Sequence, residues 1–591
     1  MDTKSFYHRS ESEYAYLYSE NTVHIRFRSA RGDLKKVGLI YGDPYLFQKE
    51  EWHQKTTWMK KIAVTDRFDY WQLSITLPLR RLMYTFYVED QSGVAALFGD
   101  RGVFPYNETN LKFENSYFKI PYLHEIDRTK IPEWVTETVW YQIFPERFAN
   151  GDPTNDPKGV EPWGKVPPTR TNFFGGDLQG IIDHLDDLAD LGVNGLYLCP
   201  IFTSPTNHKY DTRDYFTVDP HFGDIHLLKH LVAAAHQKGF KVMLDAVFNH
   251  IGDASMQWQD VLKNGQRSRY ADWFHIPRFP PVYQPTDDPE FARSISYHTF
   301  AFNPHMPKWN TANPEVRAYL LEIARFWVEE CDIDAWRLDV ANEVDHHFWR
   351  KFHEELLMIK PDFYILGEVW NSAQPWLQGE EFHGVMNYAL TDSILQFFCR
   401  KEISLSKMKD QIDEQLMLYR WQVDEAMLNA LDSHDTPRLL TVCGEDKELL
   451  LQILAFTYLL PGEPCVYYGT EVGMKGGADP LNRACMVWEE AEQDLTLKAR
   501  IRKLIHIRRR FAALFSKGEL TWQIDDERQL LKLFRRSADT TIAIFLNAGT
   551  SKVVLPREIK ATGLIDQNRC QIERDRLEIA PKGYVIFSMK K

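Results

Sequence analysis

Four short segments place acids and their partners at spacings that suit catalysis. They are DAVFNH (Asp245 to His250), WRLDVANEV with Arg337 and Asp339, GEVW with Glu368, and LDSHDTPR with His434 and Asp435. Residues two apart in an extended strand share a face, so Arg337 and Asp339 point the same way. Converging carboxylates repel one another unless their surroundings separate their roles. A close guanidinium keeps one ionised and nucleophilic. A carboxyl near negative charge in an apolar setting has its pKa raised and can donate a proton. Cleavage of a glycosidic bond needs that division. On this reading Asp339 attacks the anomeric carbon, Glu368 protonates the leaving oxygen, and Asp435 binds sugar hydroxyls and helps distort the ring. His250 and His434 donate hydrogen bonds to the same sugar. Any one of these acids alone reads better as a capped or paired structural carboxylate; all of them at strand ends do not.

The elements that position them follow from hydrophobic period. ETVWYQIFP, GLYLCPIF, FKVMLDAVF, IDAWRLDV, FYILGEV, a short run near residues 384–388, AMLNALD and PCVYYG are apolar strands. Helical stripes separate them. Ile181, Ile182, Leu185, Leu188 and Leu191 are stopped by Gly192; Val316, Leu320, Ile323 and Trp327 follow an Asn313-Pro314 start. Eight strands alternating with helices predict an α/β chain built on a (β/α)8 TIM barrel, with catalytic groups at the C-terminal strand ends. An aromatic, proline-bearing stretch after the third strand, 251–305, is too long for a loop and predicts a small inserted domain. Period-two alternation at Val23–Phe27, Trp71–Leu77 and Leu82–Val88 predicts an N-terminal β-sandwich over 1–123. The barrel then spans 124–510, and LLKLF, TTIAIFL and GYVIFSM predict a C-terminal β-sandwich over 511–591.

Composition bounds what such a chain binds. A formal net charge of -13 over 591 residues makes nucleic acid and anionic membranes poor partners for the surface as a whole. No apolar run reaches a membrane-spanning length, and the N-terminus lacks a secretory pattern, so the expected location is the cytoplasm. The seven cysteines are scattered and read as buried free thiols, not as a zinc site or disulfide framework. Aromatic residues make up 14% of the chain. Trp163, Phe173, Phe174, Trp258, Trp273, Phe274, Tyr283, Trp370 and Trp376 fall near loops at the barrel mouth or in the insertion. Singly, each serves packing as readily as sugar contact; as a group, several are expected to line a cleft.

The segments DAVFNH, WRLDVANEV, GEVW and LDSHD resemble the ordered signature segments of the α-amylase family of glycoside hydrolases, with HKYDTRDY and PGEPCVYYGTE in support. The resemblance implies a retaining mechanism on α-glucans, with Asp339 as nucleophile, Glu368 as acid/base and Asp435 as transition-state stabiliser. It makes Arg337, His250 and His434 supporting residues and Tyr210 an aromatic stacked under the sugar. MPKWN, VANEV and GMKGGADPLNR are similar to segments of the cyclomaltodextrinase, neopullulanase and maltogenic amylase subgroup, which adds Glu343 and Trp370 to the substrate-binding set. That subgroup implies a homodimer through the N-terminal domain and a narrowed site for cyclodextrins, maltooligosaccharides and related α-glucans. Trp309 stands where the subgroup has Leu, and core packing is the favoured reading. Asn150, Asp152, Asn155, Asp156, Gly175 and Asp177 supply hard oxygens suited to Ca2+, although the same spacing serves an ordinary Asn/Asp/Gly turn. The resemblance implies a structural calcium at these positions. Two rivals remain: glucosyl transfer through the same intermediate, and a catalytically inactive glycan-binding barrel, which the intact acids disfavour.

Overall fold

The computed structural model describes residues 1–591 except 50, 51, 53, 54, 557–560, 574, 575, 590 and 591. The chain divides into two compact units, Met1–Lys130 with Asp392–Glu425 and Gly518–Lys591, and Ile131–Thr391 with Ala426–Lys517.

The second unit is a barrel. Its strands are β1 (Trp140–Ile143), β2 (Gly195–Leu198), β3 (Lys241–Ala246), β4 (Ala335–Leu338), β5 (Tyr364–Gly367), β6 (Gly384–Val385), β7 (Leu428–Ala430) and β8 (Glu463–Tyr467). Parallel pairing runs β6-β5-β4-β3-β2-β1-β8-β7, and a parallel bridge between Met386 and Leu428 joins the two ends. Seven of the eight strands fall inside the predicted apolar runs, and β8 starts one residue before its run, at Glu463. Helix Pro314–Cys331 starts as expected: the Asn313 side chain accepts from Glu315 N, proline opens the first turn, and Val316, Leu320, Ile323 and Trp327 are buried. Gly192, at φ 99°, ends the helix Leu185–Leu191 in the left-handed region that its missing Cβ permits. Between β3 and helix Pro314–Cys331 lie helix Met256–Asn264 and a two-stranded pair, Gln284–Pro285 with Ala292–Arg293.

The first unit holds β structure from both ends of the chain. The N-terminal part is a sandwich: a four-stranded and a six-stranded antiparallel sheet enclose Val23, Ile25, Phe27, Val37, Leu39, Phe86 and Val88. The C-terminal strands Glu519–Asp525, Leu530–Arg536, Thr541–Asn547, Val553–Pro556, Ala561–Ile572 and Arg576–Met589 form the expected C-terminal β domain, joined in one hydrogen-bonded antiparallel sheet. The long strand Arg576–Met589 pairs first with Val553–Pro556 and then with Thr541–Asn547, so a single strand serves both halves. The segment Asp392–Glu425 lies within the 124–510 span in sequence but groups with these sheets. Met417 packs with Ala63 and Tyr70, Glu414 pairs with Arg67 at 2.9 Å, and Asp413 accepts from Trp522 Nε1 at 2.9 Å.

Candidate active site

Parallel register brings the charged side chains together. Asp245 on β3 is paired in register with Arg337 on β4. Asp339 follows two residues after Arg337, Glu368 follows β5, and Asp435 follows β7. Arg337 is fully buried. Its Nη1 lies 2.8 Å from Asp339 Oδ1 and 3.0 Å from both Asp245 oxygens; its Nη2 lies 2.9 Å from Glu368 Oε1 and 4.0 Å from Asp435 Oδ2. The sequence suggested a simple Asp339–Arg337 pair. The structure shows one guanidinium shared among four carboxyls. Burial pushes the Asp339 carboxyl well up, Arg337 draws it down, and Glu368, Asp245 and Asp435 push it up again. Burial likewise pushes Asp245 up to about 6 against the pull of Arg337, Tyr197 and Tyr210. One cation among four acids, of which Asp245, Asp339 and Glu368 are buried and Asp435 is more open, favours keeping a proton within the cluster, as a site that must donate one requires.

Backbone and aromatic donors hold Glu368. Val340 N donates to Oε2 at 2.8 Å and Trp370 Nε1 to Oε1 at 3.1 Å. Val340 sits at φ 47°, a left-handed conformation that costs a β-branched residue about 1–3 kcal/mol. The strained turn aims its N–H at Glu368 immediately after the predicted nucleophile. Trp370 stacks on Tyr388 at 3.7 Å and 9° and is 50% exposed, leaving its other face open.

Two imidazoles, His208 and His250, border the cleft and a third, His434, lies behind it, all in neutral form. Burial pushes His208 and His250 down to about 3 and His434 well below its ordinary value. Tyr210 N donates to His208 Nδ1 at 3.0 Å, which leaves the proton on Nε2. His434 Nε2 lies 3.2 Å from Asp435 Oδ2 and 2.6 Å from the Tyr210 hydroxyl, which itself donates to Asp245 at 3.0 Å. The Tyr210 ring lies nearly parallel to that of His434, with centroids 5.4 Å apart.

These groups line one cleft of about 580 Å³. Of the predicted residues, Asp339, Glu368, Asp435, His250, Tyr210, Glu343 and Trp370 border it. Arg337 and His434 lie behind this lining, joined to it through the contacts above. Glu343 is held by Lys308 Nζ at 2.9 Å. Further residues of the cleft were not singled out from the sequence: His208, Glu290, Phe300, Asp479 and Arg483. Arg483 donates through Nε to His434 O at 2.9 Å and pairs with Asp479 at 3.0 Å. A charged residue inside the apolar run FKVMLDAVF was the available signal for Asp245.

The expected aromatic lining is corrected. Of the nine loop aromatics, Trp370 borders the cleft. Trp258, Trp273 and Phe274 are buried in the insertion, where Phe274 stacks on Trp309 at 4.8 Å and 14°. Trp309 is 1% exposed and is core, as expected. Phe174 is buried under Arg147, and Trp163 donates to Met486 O at 3.1 Å. Folding the insertion consumes the rings that its length required.

The residues proposed for calcium also converge. Asn150 Nδ2 donates to Asp156 Oδ1 at 2.8 Å, and Asn155 Nδ2 to Asp177 Oδ2 at 3.1 Å. Asn150 Oδ1 and Asn155 Oδ1 are buried without a hydrogen-bond partner. A Cβ on Gly175, at φ +83°, would fall 2.1 Å from Asp156 Oδ1. Burial and the charges of Asp177 and Asp152 push the Asp156 carboxyl up, while the Asn150 hydrogen bond draws it down. Uncompensated oxygens and unneutralised charge fit a hard cation. Asp177 itself is engaged, accepting from Gly151 N, Asp152 N and Gly180 N. Among the described residues no three Asp, Glu, His or Cys side chains form a metal-binding cluster, so a cation here would rest largely on amide and backbone oxygens.

Residues 142–510 match the alpha amylase catalytic domain, and residues 1–124 match the alpha amylase N-terminal ig-like domain. An intracellular maltogenic amylase of Bacillus subtilis is 50% identical over 550 residues, covering 93% of this chain and 92% of that protein. A cyclomaltodextrinase of Geobacillus thermopakistaniensis is 46% identical over 598 residues, covering 100% of both chains. A solved cyclomaltodextrinase structure superposes with a TM-score of 0.90 at 39% identity and covers 100% of both chains.

Proposed function

The chain belongs to the α-amylase family and is a glycoside hydrolase of the cyclomaltodextrinase and maltogenic amylase type; from that premise we propose that it cleaves α-1,4-glucosidic bonds of cyclodextrins and maltooligosaccharides with retention of configuration. The observation that carries this reading is the Arg337 cluster, where a buried guanidinium touches Asp339 and Glu368 within one cleft. An oxygen of Asp339 attacks C1 of the bound glucose unit as the C1–O bond breaks, and the leaving oxygen takes the proton of Glu368. A glycosyl ester on Asp339 results. Glu368, now a carboxylate, removes a proton from water as the water oxygen displaces Asp339 from C1, which restores both acids and releases the α-anomer. Asp435, with Arg483 3.6 Å away and His434 3.2 Å away, holds sugar hydroxyls as the ring distorts.

Calcium, when bound, would link the loop of Asn150, Asn155 and Asp156 to Gly175; the unpartnered amide oxygens support this structural role. Pairing of two chains through the N-terminal domain follows from the subgroup resemblance. A cytoplasmic location is supported by the name of the B. subtilis relative, and no described helix is long and apolar enough to cross a membrane.

The decisive experiment compares rates on β-cyclodextrin, pullulan and soluble starch and identifies the first-formed anomer by NMR. Faster opening of cyclodextrin than of starch, with α-product first, is expected. Starch cleaved much faster than cyclodextrin, or β-product first, overturns the reading. Asp339→Asn should lower kcat by about 10⁴-fold or more.

A further inference from the structure

One arginine outside the cleft ties together three segments of its wall. Arg170 lies in the loop after β1, and its Nη1 meets Glu290 Oε2 at 2.7 Å and Asp288 Oδ1 at 4.0 Å. Its Nε lies 3.5 Å from Asp479 Oδ2. Asp288 and Glu290 come from the turn between the insertion's two strands, Gln284–Pro285 and Ala292–Arg293, and Asp479 comes from the loop after β8. Glu290 and Asp479 border the cleft, whereas Arg170 does not. The contacts continue inward: Asp479 pairs with Arg483 at 3.0 Å, and Arg483 lies 3.6 Å from Asp435. Burial pushes the Glu290 carboxyl up, Arg170 draws it down and Asp479 pushes it up again, as expected where two acids share a cation. The loop is built to present Arg170. Thr169 N donates to Asn172 Oδ1 at 2.8 Å and Asn172 N to Thr169 Oγ1 at 3.0 Å. The Asn172 carbonyl accepts from the buried side chains of Arg147 and Asn207, at 2.8 Å each.

The place of this seam on the barrel decides what it can do. In a closed ring of eight strands, β8 and β1 stand opposite β4 and β5. Asp339 follows β4 and Glu368 follows β5. Glu368 protonates the leaving oxygen, so the departing part of the glucan lies on its side, and the part kept on Asp339 extends towards β8 and β1. We propose that Arg170 is a specificity-determining residue: by joining the insertion's turn to the loops after β1 and β8, it closes the cleft beyond Asp435 and limits how many glucose units fit on the non-reducing side of the cleavage point. This rests on the α-glucan reading of the cleft. A neutral glucan offers no charge to replace the ion pairs, so opening the wall costs what they are worth. With the Arg170 and Glu290 side chains 47% and 39% exposed, that is about two- to fivefold in the choice of binding frame.

The test uses the full chain and maltoheptaose labelled at its reducing end, with products read before any chain is cut twice. Wild type should cut near the non-reducing end, so that the label stays on long fragments. Arg170→Ala should move cleavage inward, raising the ratio of internal to near-end cuts about two- to fivefold. Its kcat/KM on a chromogenic maltoside, too short to reach the wall, should stay within about twofold of wild type. Arg170→Lys, which keeps the charge, should retain most of the wild-type pattern. Salt at about 1 M should shift the wild-type pattern towards that of Arg170→Ala and leave the variant's own pattern unmoved, because these pairs are partly exposed. An unmoved pattern in Arg170→Ala overturns the inference, as does an equal loss of rate on the short maltoside, which would mark general damage to the site. An enzyme inactive on every α-glucan sinks the functional reading and the inference together; an active wild type whose pattern ignores Arg170 sinks the inference alone.

Discussion

Arg337 meets Asp339, Asp245, Glu368 and Asp435 from the floor of the cleft, and its removal tests how much of the site depends on one charge. Arg337→Met should lower kcat by more than about 10³-fold, since no cation then opposes the charge of the nucleophile. It should also destabilise the fold by about 3–5 kcal/mol at neutral pH, because buried carboxylates lose their partner. The sign with pH follows from protonation. Without Arg337, burial holds the Asp245 and Asp339 carboxyls higher in the folded state than in the unfolded one, so stability falls as pH rises. The gap to wild type should widen from pH 5 to pH 8 in urea titrations. The histidines predict the opposite kind of result. His208 and His250 are pushed down to about 3 and stay neutral throughout this range. His250→Gln should therefore lower the height of the pH–kcat/KM curve while leaving its limbs in place; a vanished acid limb would contradict this.

The two ends of the barrel strands do different work. At the C-terminal ends sit the acids; just before β4, Asp334 accepts from His236 at 2.7 Å, Val242 N at 2.9 Å, and Lys241 and Lys360 at 3.0 Å each. Burial raises this carboxyl, but the His236 hydrogen bond and the Lys360 charge lead a larger downward pull, so it lies below its ordinary value. A depressed folded pKa adds stability above the unfolded value, and that stability is lost as pH falls through the folded one. Asp334→Asn should cost about 2 kcal/mol at pH 7 and progressively less below pH 4, with kcat at 25 °C nearly unchanged. Denaturant midpoints at the two pH values decide it. A large loss of kcat with no loss of stability would mean that the bottom of the barrel governs chemistry.

For the molecule as a whole, the proposed cation and the proposed partner chain give measurable linkages. If calcium holds the loop of Asn150 and Asp156 to Gly175, chelation should lower the melting temperature by about 5–10 °C while leaving activity at 25 °C largely intact. Asn150→Leu should melt at the chelated value and ignore added calcium. An activity lost in proportion to calcium removal at 25 °C would instead place the ion in the reaction. Sedimentation velocity across a hundredfold range of concentration should show a dimer that dissociates on dilution or persists throughout; a monomer at every concentration would remove the N-terminal pairing. The net charge of -13 is no obstacle to an uncharged glucan, which needs no electrostatic steering.

Much of the fold was legible because the signals are local. Alternation at Val23–Phe27, helical spacing at Val316–Trp327, the Asn313 cap and the Gly192 stop act within a few residues, and each reappears in the structure. The acids at strand ends were legible for the same reason: an apolar run that stops at a charged residue marks a barrel mouth. What escaped depends on partners far apart in sequence. The sharing of Arg337 among four carboxyls needs the β3–β4 register and the low dielectric of a closed barrel. The cleft's aromatic lining was misjudged because burial of Trp258, Trp273 and Phe274 depends on how the insertion folds around Trp309. Asp392–Glu425 grouped with the terminal sheets through contacts spanning hundreds of residues. Periodicity and capping are properties of a chain; charge sharing, solvent exclusion and proton placement belong to its packing.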